Sequence, residues 1–149
     1  MRVIVCLDDH NGMMFNHRRQ SQDRVLRADI MELTKGKVLW MNAYSKRQFT
    51  EDAADQIRVD EEFLKKAGDE DYCFVENADI SDIVDLVREI WLYKWNRDYP
   101  ADVFFPIDMT GWRCEETKEF SGSSHETITR ERYVRQEQNG SLKRTPGSL

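Results

Sequence analysis

The chain predicts an α/β domain, a mixed sheet with flanking helices that ends in a C-terminal antiparallel hairpin. Three observations carry that reading. The continuous apolar run VIVCL near the N-terminus has the pattern of a strand covered on both faces. Similar short runs, KVLWMN, YCFVEN and EIWLYKW, recur between segments with helical signals. Near the end, WRCEETKEF and ETITRERYV alternate as the two arms of a hairpin do.

The first strand is expected over Arg2 to Leu7, and Asp9-His10-Asn11-Gly12 turns the chain because Asn-Gly readily supplies positive φ. A helix is expected from Ser21 as N-cap, with Val25, Leu26, Ile30 and Leu33 at helical spacing and Gly36 as its stop. KVLWMN is the second strand, and Ser45 is expected to cap a brief helix over Lys46 to Phe49. Thr50 to Asp55 reads as an acidic connector and Gln56 to Val59 as a small strand. Asp60 followed by EEFLKKAG has a cap, an acidic first turn, lysines near the end and a closing glycine, all favoured by the helix macrodipole. YCFVEN returns to strand, ISDIVDLV to a short helix and EIWLYKW to strand, with Trp91, Tyr93 and Trp95 on one face as core. VFFP precedes the hairpin. With no internal repeat and no linker, residues 1–135 are expected to form one domain and 136–149 a flexible tail lacking apolar periodicity.

A chain of 149 residues, 40% of them hydrophobic, is long enough to bury a core. Its net charge of −6 opposes unassisted binding of a polyanion, so nucleic acid is not the expected partner. No stretch approaches the roughly 20 apolar residues of a membrane helix. Cys6, Cys73 and Cys114 are odd in number and far apart in sequence, as reduced core thiols would be, which points to a reducing cytoplasm.

Three constellations attract attention. Asp8, Asp9, His10, His125 and Glu126 carry metal-ligand chemistry without ligand spacing, so no metal is expected. Ser124 and His125 place a nucleophile beside a base, but residues adjacent in a strand face opposite ways, and a polar hairpin turn is the simpler reading. HRRQSQDR sets Arg18 and Arg19 beside a helix N-terminus, a patch suited to an anion.

In its order of elements the chain resembles dihydrofolate reductases. DDHNGMMFN is similar to their first loop over the nicotinamide, KVLWMNAYSKRQF to the segment that ends in Gly-Arg-x-Thr, VDEEFLKKAGDEDYCFVEN to the helix and strand before their Gly-Gly motif, and YPADVFFPIDMTGW to their Phe-Phe-Pro stretch. The resemblance implies a dihydrofolate-reductase-like fold over residues 1–135. It also implies a carboxylate early in the first helix that anchors a pterin and assists its protonation; this falls near Arg24 and Val25, with Asp23 the nearest acid.

Other positions depart from the family. Asn42-Ala43-Tyr44-Ser45 lacks the arginine that would hold a phosphate, and Glu76-Asn77 replaces the glycine pair that lets backbone approach the pyrophosphate. The stretch between Tyr44 and Asp60 is too short for a further strand. The resulting expectation is a degenerate reductase-like protein without the usual NADPH cofactor, whose old cleft takes a small ligand or a protein partner. Its expected ligand contacts are Met13, Asn16, Arg18, Arg19 and Asn42, with Asp23 as the one candidate catalytic residue. The alternatives are an NAD(P)H- or flavin-dependent reductase of a pteridine-like compound and a metal-dependent nuclease or nucleic-acid-associated protein using Asp8, Asp9, His10 and His125.

Overall fold

The computed structural model describes residues 1–50 and 55–136, so the acidic connector and the C-terminal tail lie largely outside the described residues. Seven strands form the main sheet in the order β5-β4-β6-β1-β7-β10-β9: β1 (Arg2–Leu7), β4 (Leu39–Met41), β5 (Ile57–Val59), β6 (Tyr72–Phe74), β7 (Glu89–Lys94), β9 (Trp112–Phe120) and β10 (Ile128–Arg135). The first five in that order run parallel, and β10 pairs antiparallel with both β7 and β9. No extra strand flanks β5 among the described residues.

Strand alternation divides the core into two layers. Val3, Val5 and Leu7 of β1, Cys73 of β6 and Ile90 and Leu92 of β7 face one side, where Phe63 joins them. Ile4, Tyr72, Phe74, Trp91, Tyr93 and Trp95 face the other, covered by Leu26 and Ile30 of helix α1 (Arg24–Leu33). Each fully buried aliphatic side chain there contributes about 2 kcal/mol of transfer free energy. The tryptophan and tyrosine stripe of β7 is therefore core. On β9 only Trp112 is buried: this is an uncovered edge strand dense in charge, so the expected alternation has no second layer to pack on.

Several local expectations move. The cap of α1 is Asp23 rather than Ser21, because its carboxylate accepts from the amides of Val25 and Leu26. Asn42, not Ser45, caps helix α2 (Ala43–Lys46), and Ser45 lies inside it. Helix α3 is only the turn Phe63–Lys66, since Asp60 turns the chain by accepting from the Glu62 amide and pairs with Lys66. ISDIVDLV forms only a 3₁₀ turn over Val84–Leu86.

The loop after β1 is itself structured. Strands β2 (Gly12–Phe15), β3 (Arg18–Arg19) and β8 (Val103–Phe104) make a second sheet in the order β3-β2-β8. Phe15 pairs with Arg18 across Asn16 and His17, both at positive φ (52° and 63°), the signature of a two-residue type I′ hairpin. The preceding turn also uses positive φ, at Asn11. The hairpin lies over the C-terminal ends of β1, β6 and β7, the edge where open parallel sheets carry their ligands.

Candidate functional site

Cys6, Val75, Glu76 and Trp95 from the strand ends, Met13, Arg19, Gln20 and Ser21 from the hairpin segment, and Gln48 after α2 enclose a small space. Its volume is about 10 Å³, at the lower limit for a single water. Arg19 lines this space and is fixed there by its partners. Its Nε donates to Glu76 Oε2 at 2.9 Å and its Nη2 to Glu76 Oε1 at 3.1 Å. Nη2 also donates to the Tyr44 carbonyl, and the guanidinium carbon lies 4.4 Å from the centre of the Tyr44 ring. Glu76 is completed by Ser45 Oγ at 2.8 Å and Gln48 Nε2 at 3.0 Å. Burial alone would depress the Arg19 guanidinium, but the Glu76 carboxylate outweighs it and leaves the arginine a stronger base.

Beside this pair, Asp23 gathers a polar cluster. Oδ1 accepts from the amides of Val25, Leu26 and Ser123, and Oδ2 from the amide and hydroxyl of Ser124. Oδ2 also lies 3.0 Å from Nδ1 of His125. Burial opposes ionisation of Asp23, yet these backbone donors and the imidazole hold its carboxyl far below the usual carboxylate range. The other ring nitrogen of His125, Nε2, lies 3.0 Å from both Ser21 Oγ and Tyr99 Oη. The ring is buried and stacks on Trp95 with centroids 4.5 Å apart. Sequence spacing gives no sign of this cluster, because His125 is 104 residues from Ser21 and 26 from Tyr99.

Outside the inner space runs a groove of about 360 Å³ lined by Phe15, Asn16, Arg18, Arg19, Gln20, Tyr99 and Pro100. Three of the expected ligand contacts, Asn16, Arg18 and Arg19, therefore meet on one groove. Met13 is buried behind it in the inner space. Asn42 stands apart: its side chain caps α2 and donates to Asn77 Oδ1 at 2.7 Å.

Asp8, Asp9, His10, His125 and Glu126 do not converge. Asp8 accepts from the amides of His10, Gly12 and Tyr99 and from Gln20, while His10 pairs with Asp98 and His125 with Asp23. Among the described residues, no group of three or more His, Cys, Asp or Glu side chains could hold a metal. Ser124 and His125 lie in the loop between β9 and β10, not in a strand, so adjacency does not separate them. Ser124 Oγ lies 3.2 Å from Nδ1, on the Asp23 side of the ring. Of the cysteines, Cys73 is buried and Cys6 half-buried, but Cys114 is exposed on β9, contrary to the core reading. No helix among the described residues is long and apolar enough to cross a membrane.

No protein-family model matches the chain, and no curated protein matches it. A solved structure is similar: dihydrofolate reductase from Enterococcus faecalis, complexed with NADP(H) and RAB-propyl, at a TM-score of 0.65 and 14% identity, covering 91% of this chain and 96% of that one. This chain therefore has the fold of a dihydrofolate reductase.

Proposed function

We propose that this protein does not reduce folates with NADPH and instead binds a small ligand beside the remnant cleft. The observation that carries this reading is the Arg19–Glu76 pair, which leaves about 10 Å³ where a heterocycle would need to enter. A side chain at position 76, where the family has glycine, would also keep the backbone from approaching a diphosphate closely. The ligand space has moved outward to the groove of Phe15, Asn16, Arg18 and Tyr99, where a cation beside aromatic surface favours a small anionic compound with an apolar part. A protein partner is the second reading. It is favoured by the exposed Phe15, Val103 and Phe104 on the small sheet.

Calorimetric titration with NADPH and with dihydrofolate tests the first reading. No heat of binding is expected from the parent chain. Tight NADPH binding, together with NADPH-dependent dihydrofolate reduction that disappears in Asp23→Asn, would refute it. A panel of small aromatic carboxylates, scored by thermal shift against Arg18→Ala, would then locate the ligand groove.

A further inference from the structure

We propose that the outer groove selects aromatic acids carrying a single negative charge, and that Glu76 sets this preference from behind by cancelling the charge of Arg19. The inference rests on the reading of that groove as a small-ligand site and names its ligand class. None of the side chains lining the groove is acidic, in a chain with 28 acidic residues and a net charge of −6, while two are arginines. The two differ in what they can offer. Arg19 is held by two charge-assisted bonds to Glu76, so its charge is already balanced. Arg18 forms no side-chain hydrogen bond, ion pair or ring contact among the described residues. The groove therefore holds one uncommitted positive charge.

Apolar surface lies beside that charge. Phe15 and Arg18 are cross-strand partners in the hairpin, so their side chains leave the same face of the ladder with Cβ atoms about 5 Å apart. Phe15 is 46% exposed. Tyr99 commits its hydroxyl to His125 Nε2 at 3.0 Å, which leaves ring carbon as its contribution to the groove. An arene placed on this surface gains aromatic contact, and a short acidic arm on it reaches the Arg18 fork. The volume of about 360 Å³ is at the low end of the roughly 300–1,000 Å³ of small-molecule pockets, a size for one ring system with such an arm.

Charge decides between a carboxylate and a phosphate ester. A phosphate monoester carries close to two negative charges at neutral pH, and Arg18 balances one. Beside the groove, Asp102 Oδ2 accepts from the Asn16 amide at 3.0 Å, so a second negative charge on the ligand meets repulsion instead of a cation. Glu76 thus determines specificity without touching the ligand. With its charge removed, Arg19 would give the same groove a second positive charge.

Amide NMR spectra of the isotope-labelled full chain, titrated with 3-phenylpropionate, 3-phenylpropionamide and phenyl phosphate, test this. 3-Phenylpropionate is expected to shift the amides of residues 15–20 and of Tyr99 saturably. It should bind about tenfold tighter than the neutral amide and about threefold tighter than phenyl phosphate. Arg18→Ala should lose about tenfold of that affinity with the rest of the spectrum unchanged. Glu76→Gln should reverse the order of the two acids, whereas a purely structural role for Glu76 would weaken both alike. Where that variant does not fold, Asp102→Asn, which keeps an oxygen for the Asn16 amide, should narrow the gap between them. Phenyl phosphate bound by the parent as tightly as 3-phenylpropionate, or an order unmoved in the folded variants, would overturn the proposal and leave the small-ligand reading standing. Absence of groove shifts with all three compounds would overturn it too. The expected order in a chain that also reduced dihydrofolate with NADPH would refute the preceding reading and leave this one standing.

Discussion

Arg19 and Glu76, 57 residues apart, meet through two parallel nitrogen–oxygen contacts of 2.9 and 3.1 Å where the hairpin crosses the end of β6. Their side chains are only 19% and 9% exposed, so the pair is far less screened than a surface salt bridge. It joins three segments, because Tyr44, Ser45 and Gln48 contact one or other partner.

Removing one member should therefore cost more than a surface charge. Glu76→Ala is expected to lower the unfolding free energy by about 3 kcal/mol, since it strands Arg19 and two further donors. In urea denaturation, a double-mutant cycle with Arg19→Ala should give a coupling of about 1–3 kcal/mol. A coupling near zero would show that the contact adds nothing in solution.

Acid should act through Asp23. Its folded carboxyl lies below the ordinary value of 3.8, so its stabilising contribution is complete above about pH 5 and fades as pH falls through 4 towards the folded value. The urea midpoint should drop over that window, and drop less steeply in Asp23→Asn, which has no carboxylate there to protonate. Asp8 and Asp29 are also held low and leave a residual slope. Superimposable acid limbs would contradict this assignment.

Gly122 is required by a close approach. A Cβ built on it would lie 2.4 Å from Asp23 Oδ2 and 2.9 Å from Ile128 Cδ1. Gly122→Ala should destabilise by about 1–3 kcal/mol. It should also shift the His125 ring resonances in an NMR spectrum, because Asp23 holds the ring. Unchanged stability would mean that the loop has room to yield.

Thiol chemistry should sort the cysteines. Burial pushes Cys73 up to about 12 and Cys6 well above its usual value, with the Glu76 charge adding to the latter. Cys114 is open to solvent. Under native conditions a disulfide reagent should modify Cys114 quickly and the other two only on unfolding. Fast modification of Cys6 would reveal an opening of the inner space.

The strands of the main sheet were legible because each buried run is short, apolar and bounded by polar punctuation, as VIVCL is by Asp8 and Asp9. Helix ends were less so: Ser21, Asp23, Asn42 and Ser45 are all capping residue types, and only tertiary hydrogen bonds choose among them. The sequence suggested that Glu76 would be hostile to a dinucleotide, but it gave no hint of the pairing with Arg19, which depends on where the hairpin lies. The Asp23–His125–Ser21 cluster was invisible, because its members are brought together by β10 returning beside β7, a long-range event that no local spacing encodes. The exposed β9 misled the cysteine reading, since alternation cannot say whether a second layer exists.

The type I′ turn at Asn16 and His17 has a kinetic meaning. Covering loops admit compounds by exchanging backbone conformations over microseconds to milliseconds. The hairpin is laddered through β2 to β8, so swinging it aside would break that pairing. On the proposed reading, entry would be left to rotations of side chains such as Arg18 and Tyr99 at the mouth, a fixed sieve whose selectivity follows the girth of the visitor.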